Sequence, residues 1–211
     1  YKNKFVGTFG DFGCFSFYPT KILGSYGDGG FILTNNKNFY KKIKRIRFYG
    51  IETIDKKNRF YKKYYANENG LNSRIDEIQC TILNFKLRHI NKFIEKRVFL
   101  ASEYLKNLKN TGLKLPFKNK GNKHVYHLFT VYHPKKNIIE KLLKKKKIET
   151  RSIYPFPIQS MKAYKKYNFS KDLKVSEKKA KGIFSLPLYP EMNKSDIIKI
   201  SQALKKIMKS L

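Results

Sequence analysis

The chain has no tryptophan, only two cysteines, and 15 acidic residues against 47 basic ones among its 211 residues. Cys14 and Cys80 lack the paired spacing of a metal-binding motif, so the sequence predicts neither a metal site nor a disulfide framework. The low cysteine content favours a reduced, cytoplasmic compartment. The sequence also lacks a signal-peptide pattern and an apolar run long enough to cross a bilayer, which argues against a membrane partner.

Arginine is scarce as well: 40 of the 47 basic residues are lysine, and the formal net charge is +32. A charge of this size is typical of proteins that bind nucleic acid or another anionic surface. However, arginine reads bases and phosphates better than lysine does, and the lysines are scattered along the chain. A lysine-biased proteome explains them more simply, so we predict no nucleic-acid partner. A basic nucleic-acid-binding protein remains an alternative, supported weakly by Tyr61, Tyr64 and Tyr65 among lysines.

The residues that are present predict a packed globular protein, since 41% are hydrophobic and 15% are aromatic. Because Tyr1 stands where an initiator methionine would, we expect the chain to begin inside a longer protein. Residues 14–17 and 31–34 are expected to form strands around a glycine-rich turn, followed by a basic helix over 38–48 and an aperiodic excursion over 49–69.

A long helix is expected next, with Ser73 and Asp76 forming a capping box at its start and a break near Asn91. Its predicted apolar stripe in the second half is Ile90, Ile94, Val98, Ala101 and Leu105. A smaller α/β unit then follows from residue 111. Its expected elements are strands over 125–132 and 150–153, a strand-edge segment over 184–190, and helices over 136–147, 176–182 and 196–211.

The most informative segment runs from Ser16 to Gly30 and reads S-F-Y-P-T-K-I-L-G-S-Y-G-D-G-G. It places Lys21 among small and hydroxyl residues, whereas most other lysines lie in charge-rich runs. A lysine in such surroundings can form a Schiff base with an aldehyde cofactor, and a nearby hydroxyl can bind a phosphate. The alternative is a strand-turn-strand in which the lysine is incidental.

This segment resembles the cofactor-lysine segment of the DegT/StrS family of PLP-dependent sugar aminotransferases. Further matching motifs follow in the family's order over residues 70–79 (G-L-N-S-R-I-D-E-I-Q), 124–129 and 185–190 (S-L-P-L-Y-P). The resemblance implies an α/β chain of the PLP-dependent transferase fold type I. Residues 1–110 would be the C-terminal part of the PLP-binding large domain with its long linking helix, and residues 111–211 the small C-terminal domain.

The resemblance also implies roles for individual residues. Lys21 would be the catalytic residue, bonded to pyridoxal 5′-phosphate, and Ser16 would bind the cofactor phosphate. Asn72 would reach the cofactor phosphate of the partner subunit in a homodimer with shared active sites. A strand serine and a helix-capping asparagine are the respective alternatives.

Three further residues are candidate substrate contacts on the same resemblance: Tyr18, Arg74 and His127. For His127 a place in the core is an equally good interpretation. The segment over residues 153–159 (I-Y-P-F-P-I-Q) lacks the histidines that many relatives have there. The family's carboxylate for the pyridine nitrogen lies upstream of Tyr1, so we expect residues 1–211 alone to be inactive.

The implied function is transfer of an amino group from glutamate to a keto carbon of a nucleotide-linked deoxysugar, for polysaccharide or lipopolysaccharide biosynthesis. The F-Y-P-T-K-I-L-G order looks closer to relatives that aminate sugar C3 than to those that aminate C4. A sugar dehydratase relative is the alternative within the same fold. Lys21 argues against it, because those relatives have a histidine in its place.

Overall fold

A computed structural model describes residues 4–52, 64–167 and 173–211. The chain divides into two compact units, Tyr1–Ile90 and Asn91–Leu211. The central part of the expected excursion over 49–69, residues 53–63 with Tyr61, lies outside the described residues.

The first unit is built around an antiparallel hairpin of two short strands, β1 (Gly13–Ser16) and β2 (Gly30–Leu33). The register pairs Gly13 with Leu33 and Ser16 with Gly30, so the thirteen-residue segment between Ser16 and Gly30 is compressed into one loop. Helix α1 (Lys37–Ile46) follows, capped by Asn36, whose side chain accepts from two first-turn amides. Helix α2 (Glu77–Arg88) completes the described part of this unit. Both strands and α1 confirm the expected elements.

Helix α2 begins later than the expected capping box at Ser73. Its N-cap is Asp76, which makes no side-chain capping hydrogen bond. The amide of Leu71 donates to the carbonyl of Ile46 at 2.7 Å, and the amide of Ser73 donates to that of Arg47 at 3.0 Å. These are carbonyls at the C-terminal end of α1, so the segment before α2 is held extended by α1 and the expected capping box at Ser73 was wrong.

The second unit contains a two-stranded antiparallel sheet, β3 (Phe129–Tyr132) with β4 (Ile183–Leu186). Its helices are α3 (Ile90–Asn107), α4 (Lys136–Lys145), α5 (Lys174–Gly182) and α6 (Lys194–Lys209). Helix α3 starts at Ile90, just after α2 ends, which is close to the expected break near Asn91. Where a strand was expected over 150–153, the described residues show a single bridge between Arg151 and Ser185.

A continuous apolar core holds the second unit together. Side chains from α3, β3, α4, β4 and α6 are fully inaccessible to solvent there: Leu100, Tyr104, Phe129, Ile139, Leu143, Phe184, Ile197 and Leu204. Because α3 contributes to this core, the compact unit begins at Asn91. Among the described residues, no helix is both long and apolar enough to span a membrane.

Candidate active site

Lys21 lies in the loop that joins β1 to β2, and backbone hydrogen bonds close this loop on itself. The Lys21 amide donates to the Tyr18 carbonyl at 2.8 Å, which forms a tight turn immediately before the lysine. Across the base of the loop, the Phe17 amide donates to the Gly29 carbonyl and the Ser25 amide donates to the Phe17 carbonyl, both at 2.8 Å. The backbone on both sides of Lys21 is therefore fixed, while its side chain is half-buried.

Ser16 and Tyr18 share this loop with Lys21. The Ser16 Oγ accepts from the Tyr18 amide at 3.2 Å, and the Ser16 side chain is exposed. Since this oxygen is used as an acceptor, its hydroxyl proton is available to a ligand. The Tyr18 ring is 51% exposed. The structure thus brings three of the predicted site residues together on one turn.

Ser25 was not singled out from the sequence, although its side chain is completely buried in the same loop. Its hydroxyl donates to the Phe17 carbonyl at 2.8 Å and also contacts the Gly27 carbonyl. A serine within a glycine-rich turn is an ordinary loop residue by composition. Only the folded loop shows that this hydroxyl, with one proton to donate, lies between two backbone carbonyls.

Two side chains of α2 contact the same loop and were also missed as functional residues. Gln79 Oε1 accepts from the Tyr26 amide at 2.7 Å, and Lys86 Nζ donates to the Gly24 carbonyl at 2.6 Å. In the sequence, Gln79 is the last residue of the motif over residues 70–79. The spacing of seven residues, which puts both on one face of a helix, was the signal available in the sequence.

Asn72 and Arg74 form a second local cluster in the first unit. Arg74 Nε donates to Asn72 Oδ1 at 3.1 Å. The Arg74 guanidinium lies 5.0 Å from the Phe48 ring centroid and 5.7 Å from that of Tyr49, within the range of cation–π interactions. Because Oδ1 is occupied, the two N–H groups of the exposed Asn72 amide are oriented away from Arg74. The cluster therefore presents donors, as an anion ligand requires.

His127 belongs to the second unit, where Arg97 fixes its backbone. Arg97 Nη1 donates to the carbonyls of Tyr126 at 3.3 Å, His127 at 3.1 Å and Leu188 at 2.9 Å. Tyr126 has a φ of 48°, which is uncommon for a residue with a bulky side chain. Arg97 is buried and was not predicted as important, and it joins the 124–129 motif to the 185–190 motif.

These residues fit an aldehyde cofactor that carries a phosphate. A primary amine on a rigid loop, a hydroxyl with a free proton, and an amide with two free N–H groups are the donors that such a ligand needs. A hairpin whose closed loop presents a lysine, in an α/β chain, is the arrangement expected of a segment of a lysine-dependent transferase.

The family is shown by comparison with known proteins. The model of the DegT/DnrJ/EryC1/StrS aminotransferase family matches residues 1–205. The chain belongs to this family. Its match to solved members of the family confirms the fold expected from the sequence, which is that of the PLP-dependent transferases.

Individual proteins of known name or structure are similar to this chain. The chain is 34% identical to the dTDP-3-amino-3,4,6-trideoxy-alpha-D-glucose transaminase of Micromonospora megalomicea, over 99% of this chain and 55% of that protein. It matches DesV of S. venezuelae, solved in complex with a ketimine intermediate, with a TM-score of 0.87 and 28% identity over 100% of this chain and 55% of that one. NtdA of Bacillus subtilis, solved with bound cofactor PMP, matches with a TM-score of 0.79 and 27% identity over 97% and 47%. The chain spans about half the length of the relatives it matches.

Proposed function

We propose that this chain carries the catalytic lysine of an aminotransferase that moves an amino group from glutamate to a keto carbon of a nucleotide-linked sugar. The observation that carries the proposal is the closed loop that holds Lys21 beside the exposed hydroxyl of Ser16. The cofactor is pyridoxal phosphate. When bound, it would supply an aldehyde for the amine and a ring that withdraws electrons from the reacting substrate carbon. The chain spans about half the length of the relatives it matches, so the activity is proposed for the whole protein.

Each residue of the loop has one task in this proposal. Lys21 binds the cofactor covalently and holds the proton that moves to or from the reacting substrate carbon. Ser16 donates its hydroxyl proton to the phosphate, since its oxygen already accepts from Tyr18. The exposed Tyr18 ring and the imidazole of His127 are proposed substrate contacts.

Asn72 is proposed to serve the cofactor phosphate of the partner subunit in a homodimer. The support is geometric: the amide is exposed and presents two N–H groups, because Arg74 occupies its oxygen. Arg74 keeps N–H groups beyond Nε, and these are proposed to reach the anionic part of the substrate. The proposed compartment is the cytoplasm, in agreement with Cys14 and Cys80 being free.

The attachment site is tested by borohydride reduction of the full-length protein loaded with pyridoxal phosphate. Peptide mapping is expected to place the pyridoxyl group on Lys21, and a Lys21→Arg variant is expected to lose the label. The matched control is Lys42→Arg, an exposed lysine of α1, which should label as the unmodified protein does. A label on a different lysine would contradict the proposal.

The proposed acceptor is a 3-keto-6-deoxy sugar linked to a nucleotide, as a precursor for a polysaccharide. The support is the order of residues around Lys21 and the similarity to a transaminase named for a 3-amino sugar. Ile153 and Gln159 lie where many relatives have histidines, and fewer ionisable donors suit a 6-deoxy sugar better than a uronic acid.

Regiochemistry is tested by giving the full-length enzyme matched 3-keto and 4-keto nucleotide sugars in the presence of glutamate. Formation of 2-oxoglutarate should be faster with the 3-keto sugar. Faster turnover of the 4-keto sugar would reverse the choice of carbon and leave the aminotransferase proposal intact.

A further inference from the structure

One face of helix α2 contacts the lysine loop at two points. Gln79 and Lys86 are seven residues apart, or about two helical turns, so their side chains lie on the same side of the helix. Gln79 Oε1 accepts from the Tyr26 amide at 2.7 Å, and Lys86 Nζ donates to the Gly24 carbonyl at 2.6 Å. The helix therefore engages one backbone donor and one backbone acceptor of the same short segment.

The contact from Lys86 is the stronger of the two by its chemistry. Its donor is an ammonium group, and charge-assisted hydrogen bonds are shorter and stronger than neutral ones. The same Nζ lies 5.1 Å from the centroid of the Tyr26 ring, which adds a cation–π contact. Lys86 is half-buried, whereas most of the lysines that the structure describes are exposed.

Two glycines allow close packing of the lysine loop. A Cβ at Gly24 would lie 2.5 Å from the Pro19 carbonyl oxygen, so this position can carry no side chain without a backbone shift. A Cβ at Gly29 would lie 2.9 Å from the Cδ1 of Ile75, next to the start of α2. The loop thus has close packing within itself and against the segment that leads into α2.

We infer that Gln79 and Lys86 are positioning residues that fix the lysine loop, and through it the amine of Lys21, before the cofactor or the substrate binds. The inference rests on the proposed function for its catalytic consequence. Its structural part does not, because both hydrogen bonds are made within this chain alone. Neither residue is proposed to touch the cofactor, the substrate or the reacting atoms.

The first test is amide hydrogen exchange in the full-length protein without cofactor. In Lys86→Met, peptides that contain residues 17–30 are expected to exchange about tenfold faster, since an opening equilibrium shifts by about that factor when one charge-assisted hydrogen bond is lost. Lys86→Arg keeps a charged donor and should restore most of the protection. The matched control is Lys42→Met, an exposed lysine of α1 in the same unit, which should leave this region unchanged.

The second test is steady-state kinetics of the same variants loaded with pyridoxal phosphate. Lys86→Met should lower kcat about tenfold or more, because the amine is misplaced. It should change KM for the nucleotide sugar less than kcat, since Arg74 and His127, two of the proposed substrate contacts, lie outside the loop. Gln79→Leu should act in the same direction, and Gln79→Glu, which keeps an acceptor oxygen, should be milder.

The outcomes distinguish the positioning role of Gln79 and Lys86 from the proposed function. Unchanged exchange over residues 17–30 in both Lys86→Met and Gln79→Leu would overturn the inference, as would a faster exchange spread evenly over the first unit. If Lys86→Met fails to fold, Gln79→Leu decides in the same way, with Gln79→Glu as its conservative partner. If Lys21 takes no pyridoxyl label but the loop still loses protection, the proposed function fails and the structural inference stands.

Discussion

At the scale of single residues, Arg97 shows what a buried charge does in this chain. Its guanidinium donates to three carbonyls from two separate segments, and its side chain is only 7% exposed. Burial lowers the pKa of Arg97 from its ordinary value, and the carboxylate of Glu191 partly opposes this effect. The strained backbone of Tyr126 is maintained because its carbonyl has a partner in place.

We expect Arg97→Leu to destabilise the full-length protein by about 3 kcal/mol or more, because three carbonyls, two of them in buried hydrogen bonds, lose a charged donor. Arg97→Lys should recover only part of this loss, since an ammonium group cannot reproduce the planar guanidinium fork. The measurement is urea denaturation. The control is Lys92→Leu, an exposed residue of the same helix, with an expected change within about 0.5 kcal/mol. Equal effects of Arg97→Leu and the control would contradict this role.

Sequence reasoning predicted roles for Lys21, Ser16 and Tyr18 because these residues lie in one contiguous segment. It missed Ser25 and Lys86 for a physical reason. A hydrogen bond from a side chain to a distant backbone carbonyl leaves no trace in composition, and Lys86 is one lysine among many. Partners far apart in the chain become visible only when the fold brings them together.

At the scale of elements, helix α3 illustrates how a charge can hide a buried face. Of the expected stripe, Ala101 is buried, and the other four side chains are only partly buried: Ile90, Ile94, Val98 and Leu105. The face that is fully buried is formed by Arg97, Leu100, Ala101 and Tyr104. The centre of the buried face is rotated by about 70° from that of the predicted one, and the two faces share Ala101. A periodicity argument excludes arginine from the core, so it selected the neighbouring apolar positions.

The predicted start of helix α2 was wrong because hydrogen bonds to residues distant in the sequence decide it. The start of α2 depends on the carbonyls of α1, which are more than twenty positions earlier in the chain. Local capping signals at Ser73 and Asp76 cannot report that competition. The strands β1 and β2 were predicted well because their glycine-rich turn and apolar residues are local signals.

The start of helix α4 contains a group whose protonation should affect stability. His133 Nδ1 accepts from the Lys135 amide at 3.1 Å, which requires this nitrogen to be unprotonated. Burial, and secondarily the charge of Lys135, lower the pKa of His133 below its ordinary value of 6.5. The unfolded chain therefore binds a proton at a higher pH than the folded one does, and stability increases with pH across that interval.

The stabilisation from His133 is thus expected to be complete above pH 6.5 and to be lost as the pH falls through the lower value of the folded state. His133→Asn keeps an acceptor but does not titrate in this range, so its stability should depend less on pH between ~5 and ~7.5. Urea denaturation of both proteins measures the difference. An NMR titration that places the His133 pKa at or above 6.5 would contradict the prediction.

At the scale of the whole molecule, the two units differ in how much apolar surface they bury. The second unit has a continuous core, whereas in the first unit the described residues of the hairpin leave large apolar side chains in solvent: Phe31 at 39%, Ile32 at 49% and Leu33 at 40% exposure. A two-stranded hairpin is marginally stable by itself in water. The family expectation that residues 1–110 are only part of a larger domain remains a proposal, and this exposed surface supports it.

The proposed dimer makes a prediction that depends on both clusters of the first unit. Lys21 is proposed to serve the cofactor bound by its own subunit, and Asn72 the phosphate of the cofactor in the partner subunit. Full-length Lys21→Ala and Asn72→Ala proteins should each have little activity as homodimers. In a heterodimer of the two, one site keeps both residues and the other site loses both, so mixing should restore part of the activity.

The measurement is aminotransferase activity after the two variants are unfolded together, refolded and separated by different affinity tags, so that only heterodimers are assayed. A matched control pairs Lys21→Ala with Asn69→Ala, an exposed asparagine of the same segment. In that heterodimer, one site has Lys21 and both copies of Asn72 are present, so activity should reach about half of that of the unmodified dimer. If Asn72 instead served its own subunit, the site of the mixed heterodimer that has Lys21 would lack it, and no activity would return. Recovery therefore requires that the amide oriented by Arg74 acts across the subunit interface.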